Sequence, residues 1–442
     1  MCLEEDVKTR VTLWKKEAEW KADSRAESRA ESRTDARADA RVYARAKART
    51  KTNAKACSKA KARAILAKTK ARDILESIAD RMKEQIVLVI SILAAIITCF
   101  FIPIDKGYLG YFDLRTLACL FCMLAVIEAI KNIHLFEIIA RQIVMRFHNT
   151  RNAITALVFI TFFGSMLLTN DMALLTFLPL SFFVLSSTNK KNYLVFTFIL
   201  QNTAANLGGM ITPFGNPQNM YLYSYYNIPA SEFFQIMLLP FVSSTILIIL
   251  CCIFVKKEAL ILKEETRFQL QTKKMMIYIL LFLIAILIVF RVMPYEFGIL
   301  LIVVALFFLD QKALRKINVS LMLTFCAFFV FAGNMARIPE VSEFFHDYFP
   351  KSPLLFGAFS SQIISNVPCA VLLSRFTTDY ENLLVAVNIG GCGTMIASLA
   401  SLITLSEFKK VQPNKVRSFM IQFSIINFGF LAILLIVQQM FG

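Results

Sequence analysis

Two copies of one short motif carry the side chains of this chain that are best suited to hold a ligand. Asn206-Leu-Gly-Gly-Met-Ile-Thr212 returns as Asn388-Ile-Gly-Gly-Cys-Gly-Thr394. An amide side chain offers an acceptor and two donor hydrogens without a buried charge, and paired glycines let the backbone approach a ligand closely. The pattern indicates a binding site for a small polar solute or ion.

A further asparagine precedes each motif, in Thr169-Asn170-Asp171 and in Ser365-Asn366-Val367. All four phrases interrupt apolar runs, and in hydrocarbon such breaks persist only where the loosened backbone lines a polar cavity. Freed N–H groups can hold an anion there, while freed carbonyls and Asn or Thr oxygens can hold a cation. Paired breaks in two halves therefore predict a transport site. The competing interpretation is tight helix packing, because small residues are enriched at any membrane interface.

Asp171 is the one acidic residue that we expect near the middle of the membrane, where an ionised group is costly. It would carry a coupling proton, or help Asn170 and Asn366 to bind Na⁺. The alternative is a structural acid that caps the helix beginning at Met172. Arg375, after the second tip, would either attract an anion or extend its side chain to the interface.

Catalysis is not expected. His134, His148 and His346 fall outside the predicted spans, and no His, Ser or Cys group forms a catalytic set. Cys119 and Cys122 have the spacing of one helical turn, but no second pair accompanies them, which favours packing thiols over a metal or redox site. We therefore predict that the protein is not an enzyme, with no resident cofactor and no metal beyond a coupling ion.

The elements that must position these residues are membrane helices. The chain has 442 residues, 57% hydrophobic residues and 41 Phe, which is typical of a polytopic membrane protein. Apolar stretches such as 85–104, 232–255, 275–292 and 418–440 reach or approach the roughly 20 residues that span a bilayer. A tyrosine cluster at 221–226 predicts an aromatic belt at the outer surface.

The net charge of +17 is concentrated in the N-terminal tail and in a few short loops, which predicts that these loops lie on the cytoplasmic face. For all loops to share one face, the stretches around Asn170 and Asn366 must enter the membrane and return to the side they left. Each is thus predicted to be a re-entrant helical hairpin, and the two open to opposite sides, as an inverted repeat requires. The basic loops are 131–151, 190–191, 256–274, 312–316 and 409–417.

The predicted fold is an all-α polytopic membrane protein made of inverted repeats, each with a re-entrant hairpin and a broken transmembrane helix. The predicted divisions are a basic cytoplasmic tail at 1–81, a first repeat at 82–255 with its hairpin near 153–187, a cytoplasmic linker at 256–274, and a second repeat at 275–442 with its hairpin near 353–376.

Within the tail, residues 24–64 run nearly in tetrads of the type Arg-Ala-Glu-Ser and have almost no large apolar residue to bury. We expect a solvated segment that transport does not need. The alternative is a basic arm that binds anionic lipid or nucleic acid, which would make the protein a membrane-anchored nucleic-acid scaffold. We expect no nucleic-acid partner, because a scaffold would leave the duplicated interruptions unexplained.

The phrases that begin at Thr169, Gly208 and Gly390 resemble those of the ion transporter superfamily, which includes citrate transporter-like permeases, arsenite efflux permeases and sodium/dicarboxylate transporters. The resemblance covers roughly residues 85–442. It implies a substrate and cation site at the hairpin tips and broken helices, and an elevator-like movement in a homodimer. At the tips Asp171 and Val367 stand where the dicarboxylate branch has Thr, which shifts the expectation toward the citrate-like and arsenite-like branches.

The expected function is secondary active transport of a small anion, citrate-like or an oxyanion, driven by H⁺ or Na⁺ in the bacterial inner membrane. The alternative is a Na⁺/H⁺ antiporter or an arsenite efflux permease. Residues carried over by matching position are Thr169, Asn170, Gly208, Gly209, Thr212, Pro213, Asn216, Asn219, Ser365, Asn366, Gly390, Gly391, Thr394 and Ser398. The candidate site also includes Asp171, Asn206 and Asn388.

Overall fold

The computed structural model describes residues 87–260, 272–349 and 352–442. The predictions for the tail and for the middle of the linker lie outside these residues. The described part is built from helices joined by short turns. In chain order the helices are α1 (Val87–Phe101), α2 (Leu114–Asn132), α3 (Leu135–Val144), α4 (Thr150–Leu167), α5 (Asn170–Ser187), α6 (Leu194–Gly208), α7 (Pro217–Tyr225), α8 (Ala230–Ile253), α9 (Thr272–Val289), α10 (Tyr295–Leu309), α11 (Gln311–Arg315), α12 (Val319–Met335), α13 (Pro339–Tyr348), α14 (Pro353–Ile364), α15 (Asn366–Leu373), α16 (Tyr380–Ile389), α17 (Leu399–Val411) and α18 (Val416–Phe441).

The lengths and composition of the helices suit a membrane. Six helices of the described residues are long and apolar enough to cross a bilayer, or up to eight if each of two bent pairs counts as one span. In these pairs α3 is bent by 60° from α2, and α13 by 91° from α12. Large apolar side chains such as Ile246, Leu280 and Ile425 are exposed on the outer helices, where hydrocarbon would cover them. The predicted all-α polytopic membrane fold is confirmed.

Helices α4 and α5 form the first hairpin. The backbone N–H of Thr150, at the start of α4, donates to the carbonyl of Glu258 at 2.9 Å. Lys190, just after α5, forms an ion pair with the carboxylate of the same Glu258. Both open ends therefore lie on one side, and the tip at Leu168 and Thr169 turns back inside the protein.

Helices α14 and α15 form the second hairpin. Phe356 in α14 and Phe376 just after α15 both pack on Phe345, with ring centroids 5.7 and 4.3 Å from it. Arg375 donates to the carbonyl of Tyr111 at 2.8 Å, next to the start of α2. Since the 19 residues of α2 rise by about 28 Å, this end is on the side opposite to Asn132.

The basic loops lie on the side of Asn132, as contacts between them show. Asn132 accepts from Lys316 at 3.1 Å, and the amide N–H of Leu260 donates to the carbonyl of His148 at 2.9 Å. Gln412, before α18, donates to the carbonyl of Lys191 at 3.4 Å. These contacts and the Glu258 pair join all five loops on one surface, which we call the basic face.

Two interrupted helices cross the middle of the protein. The first consists of α6 and α7 with a break that includes the 3₁₀ turn Gly209–Ile211, and the second consists of α16 and α17. Pro217 begins α7, where its missing N–H does no harm. Ser398 begins α17 by accepting the N–H of Ala400 at 3.3 Å. Helix α6 is buried along almost its whole length.

The predicted aromatic belt is wrong for two of its four tyrosines. Tyr221 and Tyr223 are buried, because α7 packs against α2, α15 and α16 inside the protein. Tyr221 shares a hydrogen bond of 2.7 Å with Ser374. Tyr225 and Tyr226 are half-buried. Tyr221 and Tyr223 therefore fill a protein interior rather than lining the membrane surface.

Candidate functional site

The two hairpin tips are bound to the two breaks in the same way. The backbone N–H of Asn170 donates to the carbonyl of Gly215 at 3.1 Å, and that of Asn366 donates to the carbonyl of Ala397 at 2.9 Å. Gly215 and Ala397 occupy equivalent positions after the two motif asparagines, Asn206 and Asn388. Each repeat thus closes its tip on its own interrupted helix by an equivalent bond.

The motif threonines repeat this correspondence. Thr212 donates its hydroxyl to the carbonyl of Met166 at 3.0 Å, and Thr394 donates to the carbonyl of Gln362 at 2.9 Å. Both acceptors lie in the first arm of a hairpin, near its tip. The two threonines therefore brace the hairpins, and their hydroxyls are engaged there.

Across the two repeats, the side chains that begin α7 and α17 bind each other's motif asparagine. Asn216 donates to Oδ1 of Asn388 at 3.2 Å, and Ser398 donates to Oδ1 of Asn206 at 3.0 Å. None of these four residues is more than 2% exposed. The breaks therefore meet around a buried polar centre, where the two reciprocal bonds join equivalent positions. We call Asn170, Asn206, Asn216, Asn219, Asn366, Asn388 and Ser398 the amide cluster.

The two tip amides differ. Asn170 donates its side-chain amide to Oδ1 of Asn206 at 3.0 Å and accepts the N–H of Asp171 at 2.9 Å. Asn366 lies against Gly391, where an added Cβ would come within 3.0 Å of its Nδ2. Within the part of the chain that the structure describes, the side-chain amide of Asn366 makes no hydrogen bond. It is thus the member of the cluster best placed to bind a ligand.

Glycines are required where the interrupted backbones touch their neighbours. A Cβ on Gly208 would lie 2.3 Å from the carbonyl oxygen of Phe162, and one on Gly209 would lie 2.5 Å from Oδ1 of Asn216. A Cβ on Gly390 would meet Ser361 at 2.8 Å. Pro213 is buried in the first break. The glycines therefore let the breaks pack against the hairpins and the amide cluster.

Three predicted residues lie at the tips themselves. Thr169 is buried and precedes α5 with an ordinary extended backbone, φ −67° and ψ 152°. Asp171 lies half-buried in the first turn of α5. Ser365 joins α14 to α15 with φ 72° and ψ 152°, a conformation that residues other than glycine rarely adopt.

Two glutamines that the sequence motifs did not indicate also belong to the site. Gln362 donates to the carbonyls of Gly390 and Cys392 at 2.8 and 3.0 Å and accepts the N–H of Thr394 at 2.8 Å. Gln218 donates to Oδ1 of Asn388 at 3.2 Å. The signal for Gln362 was an uncharged polar residue beside an apolar run, and the signal for Gln218 was its place between Pro217 and Asn219 in the first break.

The electrostatics of the centre favour an anion on one set of groups and a cation on another. Helices α5, α7, α15 and α17 all begin at the cluster, and a helix N-terminus carries roughly half a positive charge with N–H groups free to donate. Helices α6 and α16 end there, which brings the partial negative charge of two helix C-termini. The arrangement suits a charged solute and a counter-charged ion bound close together.

Oxygen atoms suited to a small hard cation are present. Oδ1 of Asn216 and Oε1 of Gln218 are buried without a hydrogen-bond partner among the described residues. Asn219 orients the region, since its amide donates to the carbonyls of Met210 and Thr212 and its oxygen accepts from Asn388 at 2.6 Å. These neutral oxygens fit a monovalent cation such as Na⁺, which needs no full counter-charge.

Comparison with known proteins finds similarity to transporters. The family described as "Citrate transporter" matches residues 65–379, which begins inside the stretch predicted as tail and ends before α16. An uncharacterized transporter of Methanocaldococcus jannaschii is 33% identical over 292 residues, 66% of this chain and 80% of that protein. The inner membrane protein YbiR of Escherichia coli is 28% identical over 328 residues, 71% of this chain and 85% of that protein. A silicon efflux transporter of Oryza sativa is 32% identical over 133 residues, 29% of this chain and 27% of that protein.

The matched segment contains the first hairpin, the first broken helix and the second hairpin, which together supply most of the amide cluster. It extends over well more than half of the chain. The chain therefore belongs to the citrate transporter family, a family of membrane transporters.

Proposed function

We propose that this protein is a secondary active transporter of a small anion, a carboxylate such as citrate or an oxyanion, driven by a proton or sodium gradient. The observation that carries the proposal is the meeting of two hairpin tips and two broken helices in one buried amide cluster, joined by equivalent hydrogen bonds. Such midplane sites between inverted repeats are how many transporters hold a substrate and its coupling ion.

In this proposal, the anion lies against the helix N-termini and the amide of Asn366, and the coupling ion lies near the carbonyls that end α6 and α16. Asp171 adds the one acidic side chain of the tips, and its ionisation state gates the cycle. The hairpins approach the cluster from opposite faces, so one can open while the other stays closed. Alternating access by an elevator-like movement in a homodimer follows from the family resemblance.

The surroundings of the protein belong to the same proposal. We propose the bacterial inner membrane, with the basic face toward the cytoplasm, because basic loops are retained on that side. The Escherichia coli relative is itself named an inner membrane protein.

Uptake into proteoliposomes tests this function. The purified protein is reconstituted and offered radiolabelled citrate, succinate, sulfate and arsenite, each under an imposed pH gradient and an imposed Na⁺ gradient. We expect one anion to accumulate with one of the gradients and to stop when an ionophore collapses it. If folded protein moves none of them under any gradient, the proposal is wrong.

A second direction of transport is favoured by the Oryza sativa relative, whose name describes silicon efflux. Its match is short, but this alternative also fits the arsenite permeases that the tips resemble. Inside-out vesicles loaded through the opposite face would separate efflux from uptake. A pH-sensitive dye inside the vesicles tests the further alternative of Na⁺/H⁺ exchange, if its signal is recorded with a Na⁺ gradient and without any of the candidate substrate anions.

A further inference from the structure

A polar cavity lies at the face opposite to the basic face, away from the amide cluster. Its volume is about 300 Å³, which corresponds to roughly ten water molecules at the volume each occupies in the liquid. The wall is polar or aromatic and is made by the residues before and at the start of α2, the end of α7 and the turn after α15. The lining residues that carry the inference are Tyr111, Asp113, Arg115, Tyr225, Asn227 and Arg375.

Two arginine side chains in this wall have N–H donors without an acceptor. Arg115 makes no hydrogen bond or ion pair within the described ranges, and its Nε is buried without an acceptor. Arg375 donates one Nη to the carbonyl of Tyr111 at 2.8 Å, while its buried Nε also lacks an acceptor. Its guanidinium lies over the ring of Tyr225, 5.2 Å from the centroid, which fixes the orientation of the charge.

The charge of the surroundings is positive. Asp113 is the acidic residue of the wall, and both its oxygens accept from Thr116, at 3.1 Å from the backbone N–H and 2.6 Å from the hydroxyl. Arg291 adds a third guanidinium behind the wall, where it covers the ring of Tyr223 at 4.5 Å. Burial lowers the pKa of Arg291, and the charge of Arg115 lowers it further. Arg337, by contrast, is neutralised by Asp105.

The cavity is connected to the amide cluster by two short helices. Helix α7 begins beside Asn216 and ends at Tyr225, and its nine residues rise by about 13 Å. Helix α15 begins at Asn366 and its eight residues end just before Arg375, a rise of about 12 Å. Each helix thus has one end at the proposed transport site and the other at the cavity.

We propose that this cavity is a second anion site, which binds a small carboxylate or oxyanion from solution through Arg115 and Arg375 before it reaches the amide cluster. Guanidinium forks match the geometry of carboxylate and tetrahedral oxyanions, and a positive cleft raises the local concentration of an anion. The inference rests on the proposed function, since it supplies the approach path for the same solute. A lipid phosphate has similar chemistry, but the polar wall offers no apolar groove for acyl chains.

Equilibrium binding and uptake of citrate and sulfate test the site in the full-length protein. The variants are Arg115→Gln, Arg375→Gln and the double substitution. Lys106→Gln is the matched control, because Lys106 is an exposed cation of the same face that does not line the cavity. If a glutamine variant fails to fold, Arg115→Lys and Arg375→Lys replace it, because they keep the positive charge and remove only the guanidinium.

We expect each Gln substitution to raise the KM for uptake from this face about tenfold, the loss of one charge-assisted contact, with a maximal rate within about twofold of the original. The Lys variants should recover part of the affinity, and Lys106→Gln should leave the KM within about twofold of the original. Added salt should weaken anion binding more in the unsubstituted protein than in the Gln variants. An unchanged KM and unchanged binding in the double variant would overturn the inference. So would an effect of the substitutions that needs phosphatidylglycerol in the vesicles and vanishes in phosphatidylcholine, since the occupant would then be a lipid headgroup.

The outcome is separable from that of the proposed function. If the unsubstituted protein shows citrate or sulfate binding that depends on Arg115 and Arg375 but no flux under any gradient, the second site stands and the transport proposal fails. If the protein shows coupled flux and the KM is unchanged by substitution of both arginines, the transport proposal stands and the second site is rejected.

Discussion

At the scale of single residues, the centre of this protein is held by neutral amides that serve as both donors and acceptors. Asn206 accepts from Asn170 and from Ser398, both at 3.0 Å, and its own amide points to the carbonyl of Gly391 at 3.5 Å. One side chain thus joins the first tip, the second break and its own helix. A carboxylate could not supply the donor, and it would carry a costly charge into the membrane.

Replacing this side chain should disconnect the cluster. In Asn206→Ala the amide of Asn170 loses its acceptor, and a buried polar group left in this way costs about 1–3 kcal/mol. We expect a lower Tm in detergent and anion uptake slowed at least about tenfold, the factor that corresponds to roughly 1.4 kcal/mol.

Asn382→Ala is a suitable control for this experiment. The amide of Asn382 bonds Asp379 at 2.9 Å, in the cap of α16 and away from the cluster. Normal uptake and an unchanged Tm in Asn206→Ala would show that the cluster does not organise the site.

Asp171 is the residue whose chemistry the coupling proposal needs. In Asp171→Asn the side chain keeps its size but can neither release a proton nor offer a carboxylate to Na⁺. We expect downhill anion exchange to persist while accumulation no longer responds to the pH or Na⁺ gradient. Both can be measured with the same proteoliposomes.

Glu381→Gln serves as the matched control, because Glu381 is an exposed acid in the first turn of α16. If Asp171→Asn still accumulates the anion in full response to the gradient and only lowers the Tm, Asp171 is a structural acid at the start of α5. That result would reject its coupling role.

At the scale of elements, the two hairpins are equivalent in connection but not in backbone conformation. Thr169 and Ser365 occupy the same position before the tip asparagines, yet only Ser365 has a positive φ. Its φ and ψ lie in a region that is essentially restricted to glycine and costs about 1–3 kcal/mol for other residues. Strain of this kind gathers at segments that move, so the second tip is the better candidate for the mobile gate.

Glycine substitutions at the two tips should therefore have opposite effects. Ser365→Gly relieves the positive φ and should raise the free energy of unfolding by about 1 kcal/mol. Thr169→Gly meets no strain and only adds freedom to the unfolded chain, so it should lower the free energy of unfolding by about 0.5–1 kcal/mol. Thermal melts of the two variants in one detergent measure both, and equal shifts of Tm in the same direction would contradict the strain at Ser365.

At the scale of the whole molecule, charge and hydropathy orient the chain in the membrane. The five basic loops contact each other on one face, and on the same face Lys190 and Tyr193 hold the pKa of Glu258 below its ordinary value. The opposite face carries the cavity with Arg115 and Arg375. An anion would thus meet a positive cleft on one side and a basic surface on the other.

The tail should be dispensable for transport. Deleting residues 2–81 removes a highly charged stretch whose central part, residues 24–64, has almost no large apolar residue. We therefore expect unchanged coupled uptake at equal amounts of protein in the membrane. A truncation of 2–64 is the control, because the family match begins at residue 65. If the shorter truncation transports and the longer one does not, residues 65–81 belong to the transport body.

The class, the two hairpins and the paired breaks could all be predicted from the residues in order along the chain. These features depend on local sequence. Helices are disrupted by the backbone properties of single residues, here Gly208, Pro213, Gly390 and the tip asparagines, whatever packs around them. The apolar runs likewise fix the membrane as the solvent, since their length alone reaches the thickness of a bilayer. The repeat of Asn206 in Asn388 was enough to predict which segments matter.

How these residues are joined became clear only from the packed helices. Two pairs of residues are brought together from positions more than a hundred residues apart, namely Asn216 with Asn388 and Arg115 with Arg375. The burial of Tyr221 depends on which helices pack around α7. Gln362 likewise binds a break that lies in a different helix pair. Such contacts follow from the packing of whole helices, which spacing along the chain does not encode.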